Sequence, residues 1–188
     1  ASLLVDAGLR AADEMRFAAH RLHYEGRVLE RADARFDALW DRVSEQRFMS
    51  GEKTAAFLNW RYATFKSRQY QFFALQRKSG DEIIGFLVFA VENHKVFIVD
   101  LFAANVASAL HPLLLAFSIS MRRAGHDLIF ISYAGAPSFG QHLEKLWFHK
   151  SDHRIRSLVI SVLTNEFPLE SHLRDANNWL VFDGEMDI

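Results

Sequence analysis

The carboxylates near the end of the chain are the first residues with obvious chemistry to offer. Asp183, Glu185 and Asp187 fall within five residues, and if the strand expected at 179–182 runs on, Glu185 and Asp187 alternate onto one face. Two carboxylates on one face can receive a cationic amino group or a sugar hydroxyl, and a solvated chain end is the alternative. Asp100 is the only formal charge between residues 96 and 121. A carboxylate inside an apolar run must cap a helix, pair with a cation or react, and Arg61 is the expected partner if it pairs. Trp60, Arg61 and Tyr62 are consecutive and offer either a substrate clamp or packing with an ion pair. His20 and His23, with Glu25 nearby, and His149 and His153, with Asp152 between them, have workable ligand spacing. Neither pair has a third ligand, so no metal centre is expected.

Composition removes other chemistries. There is no cysteine among the 188 residues, which excludes disulfides, thiolate nucleophiles and cysteine-based zinc sites. Lys plus Arg (22) balances Asp plus Glu (23), and a protein that grips phosphate backbones usually carries a basic excess. No nucleic-acid partner is expected. The sequence holds no Gly-x-Ser-x-Gly elbow, Walker loop or Gly-x-Gly-x-x-Gly run, so hydrolase, NTPase and dinucleotide readings lack support. Residues 96–121 are long enough to span a bilayer. Asn105, Ser108, His111 and Pro112 interrupt them, however, and a buried strand followed by a buried helix is expected instead. The absence of cysteine and of a basic segment before an apolar one fits a cytoplasmic protein. The start at Ala1-Ser2-Leu3 suggests processing or a longer parent chain.

The elements that must position these residues follow from periodicity. Leu4, Ala7, Ala11, Met15, Ala18 and Leu22 predict a helix over 2–23 stopped by Gly26, followed by a short strand at 27–30. Phe36, Leu39, Trp40 and Val43 predict a second helix, and Phe57, Trp60, Arg61 and Phe65 a third. Strands are expected at 70–77, 83–91 and 95–102, joined by turns at Ser79-Gly80-Asp81 and Asn93-His94. A helix over 108–123 ends at Gly125. Residues 127–133 read as a strand buried on both faces. Ser138 is the expected cap of a helix reaching 148. A strand at 157–163, a short helix or loop at 168–177 and the terminal strand complete the order. The fold class is α+β: a mostly antiparallel central sheet flanked by helices, with an extra N-terminal helix. Residues 1–26 form that helix or an interdomain linker, and 27–188 the main domain.

This order resembles the GNAT (Gcn-related N-acetyltransferase) fold over about residues 27–188. Asn59-Trp60-Arg61-Tyr62 resembles a signature of a bacterial GNAT-like subgroup found near cell-surface polysaccharide genes and related to the Fem-type aminoacyl transferases. Ile98-Val99-Asp100-Leu101 is similar to the family's fourth strand. Leu146-Trp147-Phe148 stands where the family has Leu-Gly-Phe. The ending from Trp179 to Gly184-Glu185-Met186-Asp187 is similar to the subgroup's terminal pattern.

The resemblance implies an acyl-CoA co-substrate, with its pyrophosphate on the loop after the fourth strand. That loop would comprise Leu101, Phe102, Ala103, Ala104, Asn105, Val106, Ala107 and Ser108. The family's glycine pattern is missing, since no glycine lies between residues 86 and 124 and no Arg or Lys between Lys95 and Arg122. The helix N-terminus behind the loop remains able to receive an anion. Asp100 would be the general base, and backbone N–H groups near 101–103 would polarise the thioester carbonyl. Trp60, Arg61, Tyr62, Tyr133, Glu185 and Asp187 would contact the acceptor. The family's usual thiolate-protonating Tyr is replaced by Leu143. The expectation is N-acyl transfer from acyl-CoA or another thioester to a small-molecule amine, such as an amino sugar of a surface polysaccharide. A GNAT-fold module that has lost catalysis and serves binding or assembly is the alternative. A homodimer or a preceding domain are both open.

Overall fold

The computed structural model describes residues 2–43, 49–64, 68–106, 108–150 and 170–185, with the backbone alone for most of 2–10. Helix α1 (Ser2–Arg21) leads into β1 (Tyr24–Leu29), and α2 (Ala34–Val43) follows. Helix α3 (Ala55–Leu58) runs directly into a π-helical turn at Asn59–Ala63. Three long strands come next, β2 (Tyr70–Arg77), β3 (Ile83–Glu92) and β4 (Lys95–Ala103), then α4 (Leu110–Arg123) and β5 (Leu128–Ile131). The rest comprises β6 (Tyr133–Gly135), α5 (Pro137–Glu144), α6 (Glu170–Arg174), β7 (Leu180–Phe182) and a 3-10 turn at Asp183–Glu185.

The main sheet has the order β1-β2-β3-β4-β5. Its first four strands pair antiparallel, while β4 and β5 pair parallel. This is the mixed, mostly antiparallel sheet that the sequence implies. Asn93 and His94 both take positive φ (49° and 63°), the backbone that a two-residue hairpin turn requires, so Glu92 faces Lys95 across β3 and β4.

Alternation sorts the strand side chains onto two dry faces. One face packs Phe73, Leu75, Leu87, Phe89 and Ile98 under α1, α4 and α5. The other packs Phe72, Ala74, Phe86 and Val88 under α2, α3 and Tyr62. Ring contacts bind each layer to the sheet, Phe73 and Phe89 against Phe117 on one side and Phe36 against Phe72 and Phe86 on the other.

Several boundaries differ from expectation for identifiable reasons. Gly26 does not stop α1. It lies inside β1, where a Cβ would sit 2.2 Å from the Phe73 ring, so its smallness serves packing. Strand β5 is not buried on both faces, since Leu128 and Phe130 are half exposed at the sheet edge, with Phe130 stacked on Phe97. Pro137 occupies the first turn of α5 and Ala136 its cap position, so Ser138 falls inside the helix rather than capping it. The strand expected at 157–163 lies outside the described residues.

Candidate functional site

Two features of β4 create an opening in the sheet. Val88 faces Asp100 and Phe89 faces Ile98, which leaves Val99 as an extra residue, a β-bulge that bends the strand. Pairing with β5 covers only Lys95 to Ile98 against Leu128 to Ile131. Beyond the bulge β4 continues to Ala103 paired with β3 but no longer with β5, while the chain after β5 pairs with β7 instead. The N–H of Ala104 bonds to Ile84 O of β3 at 2.8 Å. By alternation, the N–H groups of Leu101 and Ala103 point the other way, toward the opening.

The 3-10 turn at the end of β7 stands at this opening. A Cβ on Gly184 would lie 2.8 Å from Val99 O and 2.2 Å from the Tyr62 hydroxyl, so only glycine fits without a shift. Beside it lies a closed knot of charge. Lys53 Nζ reaches Asp100 Oδ1 (2.7 Å), Asp100 Oδ2 (2.9 Å) and Glu185 Oε1 (2.8 Å). The Tyr62 hydroxyl donates to Asp100 Oδ2 (2.9 Å), and Leu101 N–H donates to Asp100 Oδ1 (2.8 Å). Glu185 also accepts from the N–H groups of Gly51 and Phe182. The side chains of Lys53, Asp100 and Glu185 are 1%, 0% and 6% exposed.

Burial pulls the Lys53 pKa down, but the carboxylates of Asp100 and Glu185 outweigh it and hold it above the ordinary value. Burial, reinforced by the negative charge of Asp100, raises Tyr62 far above the usual phenol range. Tyr62 is therefore a neutral donor at physiological pH.

The structure brings four of the expected site residues together, Asp100, Arg61, Tyr62 and Glu185, but inside the protein. Asp100 pairs with Lys53 and not with Arg61, whose Nε donates to Gly184 O at 2.7 Å. Glu185 does not continue a strand. It turns inward, and the cationic amino group it receives is the chain's own Lys53. Asp187 lies outside the described residues. Asn59 exchanges hydrogen bonds with the backbone of Ala32, while Trp60 is 63% exposed. Tyr133 lies apart, edge-on to Phe139, with its hydroxyl against Gly140.

In the loop after β4, Phe102 packs on Trp40, and Asn105 Oδ1 accepts from Ser108 N–H at 3.1 Å. Ala103, Ala104 and Val106 are half-buried, and Ala107 lies outside the described residues. Pro112 contributes no N–H to the start of α4, and the N–H groups of Ala109 and Leu113 already bond to Asn105 O and Ala109 O. An anion at this terminus therefore has at most the N–H groups of Leu110 and His111. Leu143 is buried in the core.

Sequence reasoning missed Lys53. The only signal for it was indirect: Asp100 in an apolar strand demands a cation, but nothing local says which one. Among the described residues, no group of three or more His, Asp or Glu side chains is gathered as a metal site. No helix among them is long and apolar enough to cross a membrane.

Neither a protein-family model nor a curated protein matches the sequence. Similar solved structures include an aminoglycoside acetyltransferase from an uncultured soil metagenomic sample, bound to trehalose. It is 12% identical, with a TM-score of 0.47, over 74% of this chain and 96% of that one. A tandem GNAT protein from the clavulanic acid biosynthesis pathway is 14% identical, with a TM-score of 0.49, over 69% of this chain and 45% of that one. A GNAT-family acetyltransferase from Staphylococcus aureus Mu50 is 10% identical, with a TM-score of 0.40, over 65% and 79%.

Proposed function

We propose that the chain is a GNAT-type N-acyltransferase domain that moves an acyl group from an acyl-CoA to the amine of a small molecule. The observation that carries this reading is the parting of β4 and β5 at the Val99 bulge, with α4 beginning just beyond the end of β4. An extended thioester arm can lie along the unpaired stretch of β4 as a strand would, its amides taking the place of backbone partners. The Ala103 N–H faces the thioester carbonyl oxygen, where negative charge develops. The acceptor nitrogen attacks the carbonyl carbon, the C–S bond breaks as the tetrahedral intermediate collapses, and the thiolate leaves. The nitrogen's proton passes to solvent, which also reprotonates the thiolate.

Asp100 is assigned a positioning role in this scheme. Its oxygens are taken up by Lys53, Tyr62 and Leu101 N–H, and it has no exposure from which to reach an amine. It fixes the backbone of β4 at the opening instead. The acidic limb of the rate profile then follows the acceptor's own pKa. The polysaccharide-linked and bacterial setting rests on the resemblance of residues 59–62 and the chain end, with an amino sugar as the corresponding acceptor, and the cytoplasmic setting on the absence of cysteine and of a basic segment before an apolar one.

A second reading, a binding module without catalysis, is favoured by Leu143, which buries a hydrocarbon where the resembling enzymes carry a proton donor. Mixing the purified chain with acyl-CoA donors and a panel of primary amines, and following free thiol, separates the two. Amine-dependent thiol release is expected. A folded chain that binds acyl-CoA yet releases no thiol with any amine would establish the second reading.

A further inference from the structure

On the other face of the sheet from the charge knot, three helices bring basic side chains to one place. His142 Nδ1 of α5 lies 3.4 Å from His111 Nε2 of α4, with the rings nearly perpendicular at 75°. Lys145 is three residues beyond His142, so both project from the same side of α5. From α1 come Arg16 and His20, four apart and likewise on one side, both close enough to act on His111. The Arg16 guanidinium lies 4.0 Å above the Trp147 ring, which holds it beside the end of α5.

Among the described residues, none of the five makes an ion pair with an acidic side chain. The acids of α1 are engaged elsewhere, Asp13 with Arg122 and Glu14 with Arg21 and Arg123. Glu144, the acid of α5, acts on Tyr133. Burial lowers the pKa of His111, and His142, Lys145, His20 and Arg16 push it the same way. Among the described residues, the formal charges of the cluster, Arg16 and Lys145, share one sign and have no acidic partner, a setting that attracts an anion.

We propose that α1, α4 and α5 together build a phosphate site, with His111, His142 and Lys145 as its ligands and Arg16 and His20 as its positive rim. Two imidazoles and an ammonium, brought to one side of α4 and α5, supply several charge-assisted hydrogen bonds to one phosphate group. Its occupant is the phosphate-bearing end of the acyl donor. That last assignment rests on the acyltransfer reading, whereas affinity for phosphate does not. Side-chain charge from three helices replaces the glycine cradle that the loop at 101–108 lacks. One of those helices, α1, lies outside the region of family resemblance, which makes residues 1–26 part of the site. Phosphate binding draws a proton onto His111, so affinity rises as pH falls through the lowered His111 titration.

The test is calorimetric titration of the full chain with inorganic pyrophosphate at pH 6 and pH 8 in low salt. The wild-type chain should bind, more tightly at pH 6. Lys145→Gln should weaken binding about tenfold, and the double variant His111→Gln/His142→Gln should shrink the gain in affinity from pH 8 to pH 6, to which the titration of pyrophosphate itself also contributes. Lys78→Gln, the same charge change away from the cluster, should alter nothing, and thermal unfolding of each variant confirms that it is folded. Absence of wild-type binding overturns the proposal. So does retention of full affinity in both site variants, or equal loss in Lys78→Gln. Pyrophosphate binding without acyl transfer would sink the acyltransfer reading and leave the site standing. Acyl transfer from acyl-CoA that is untouched by the site variants would overturn the acyl donor as occupant.

Discussion

The two faces of the sheet treat charge in opposite ways. Near the β4 bulge, Lys53, Asp100, Glu185 and Tyr62 are dry, paired and hydrogen-bonded among themselves. Across the sheet, His20, His111 and His142 are half-open and Arg16 and Lys145 exposed, and among the described residues none has an acidic partner. Desolvated charges hold together only when each has its partner, so the first group is complete without any ligand. On the proposed reading the second is incomplete, because Arg16 and Lys145 there share one sign of charge until an anion arrives. The contrast supports the proposal that Asp100 fastens the structure, with the phosphate-binding residues on the other face of the sheet.

The largest effect should come from breaking the knot. Lys53→Met leaves Asp100 and Glu185 buried side by side without a cation and should cost about 3–5 kcal/mol. Thermal unfolding should register this as a fall on the order of 10 °C for a chain of this size. A smaller loss follows from Gly184→Ala, because the added Cβ must displace Val99 O and the Tyr62 hydroxyl. Overpacking of this kind costs roughly 1–3 kcal/mol, measurable by denaturant midpoint.

Alkaline titration probes the same region. Lys53 and Tyr62 both have raised folded-state pKa values, so above about pH 10 the unfolded chain loses protons that the folded chain keeps. Their contribution is intact below that pH. Unfolding free energy should therefore decline as pH rises past it, and Lys53→Met should flatten the decline. The smallest effect sharpens the contrast: Lys145→Gln should change stability by no more than about 0.5 kcal/mol, since it removes an unbalanced charge. A loss comparable to that of Lys53→Met would erase the distinction between the two faces.

Much of the fold was legible because its signals are local. The strands β2 to β4 are apolar runs separated by recognisable turns, so their bounds were read almost to the residue. The run 59–62 was identifiable as a unit, and it forms the π-helical turn from which Tyr62 reaches Asp100. What escaped was set by contacts between residues distant along the chain. Lys53 is 47 residues from Asp100 and 132 from Glu185, and lysine type alone argues for solvent. The inward turn of Glu185 depends on Gly184 fitting against Val99 O, which strand alternation cannot foresee. His111 and His142 lie 31 residues apart on separate helices, so their meeting had no signature in either segment.

The claim that matters most is that the opening beside β4 receives an acyl-CoA. Thermal unfolding of the wild-type chain with and without acetyl-CoA tests it directly. At a ligand concentration about 100 times the dissociation constant, binding adds about 2.7 kcal/mol, a rise of roughly 5–10 °C for a domain of this size. The account predicts that rise. An unchanged transition at saturating concentrations of acetyl-CoA and longer acyl-CoAs would contradict it.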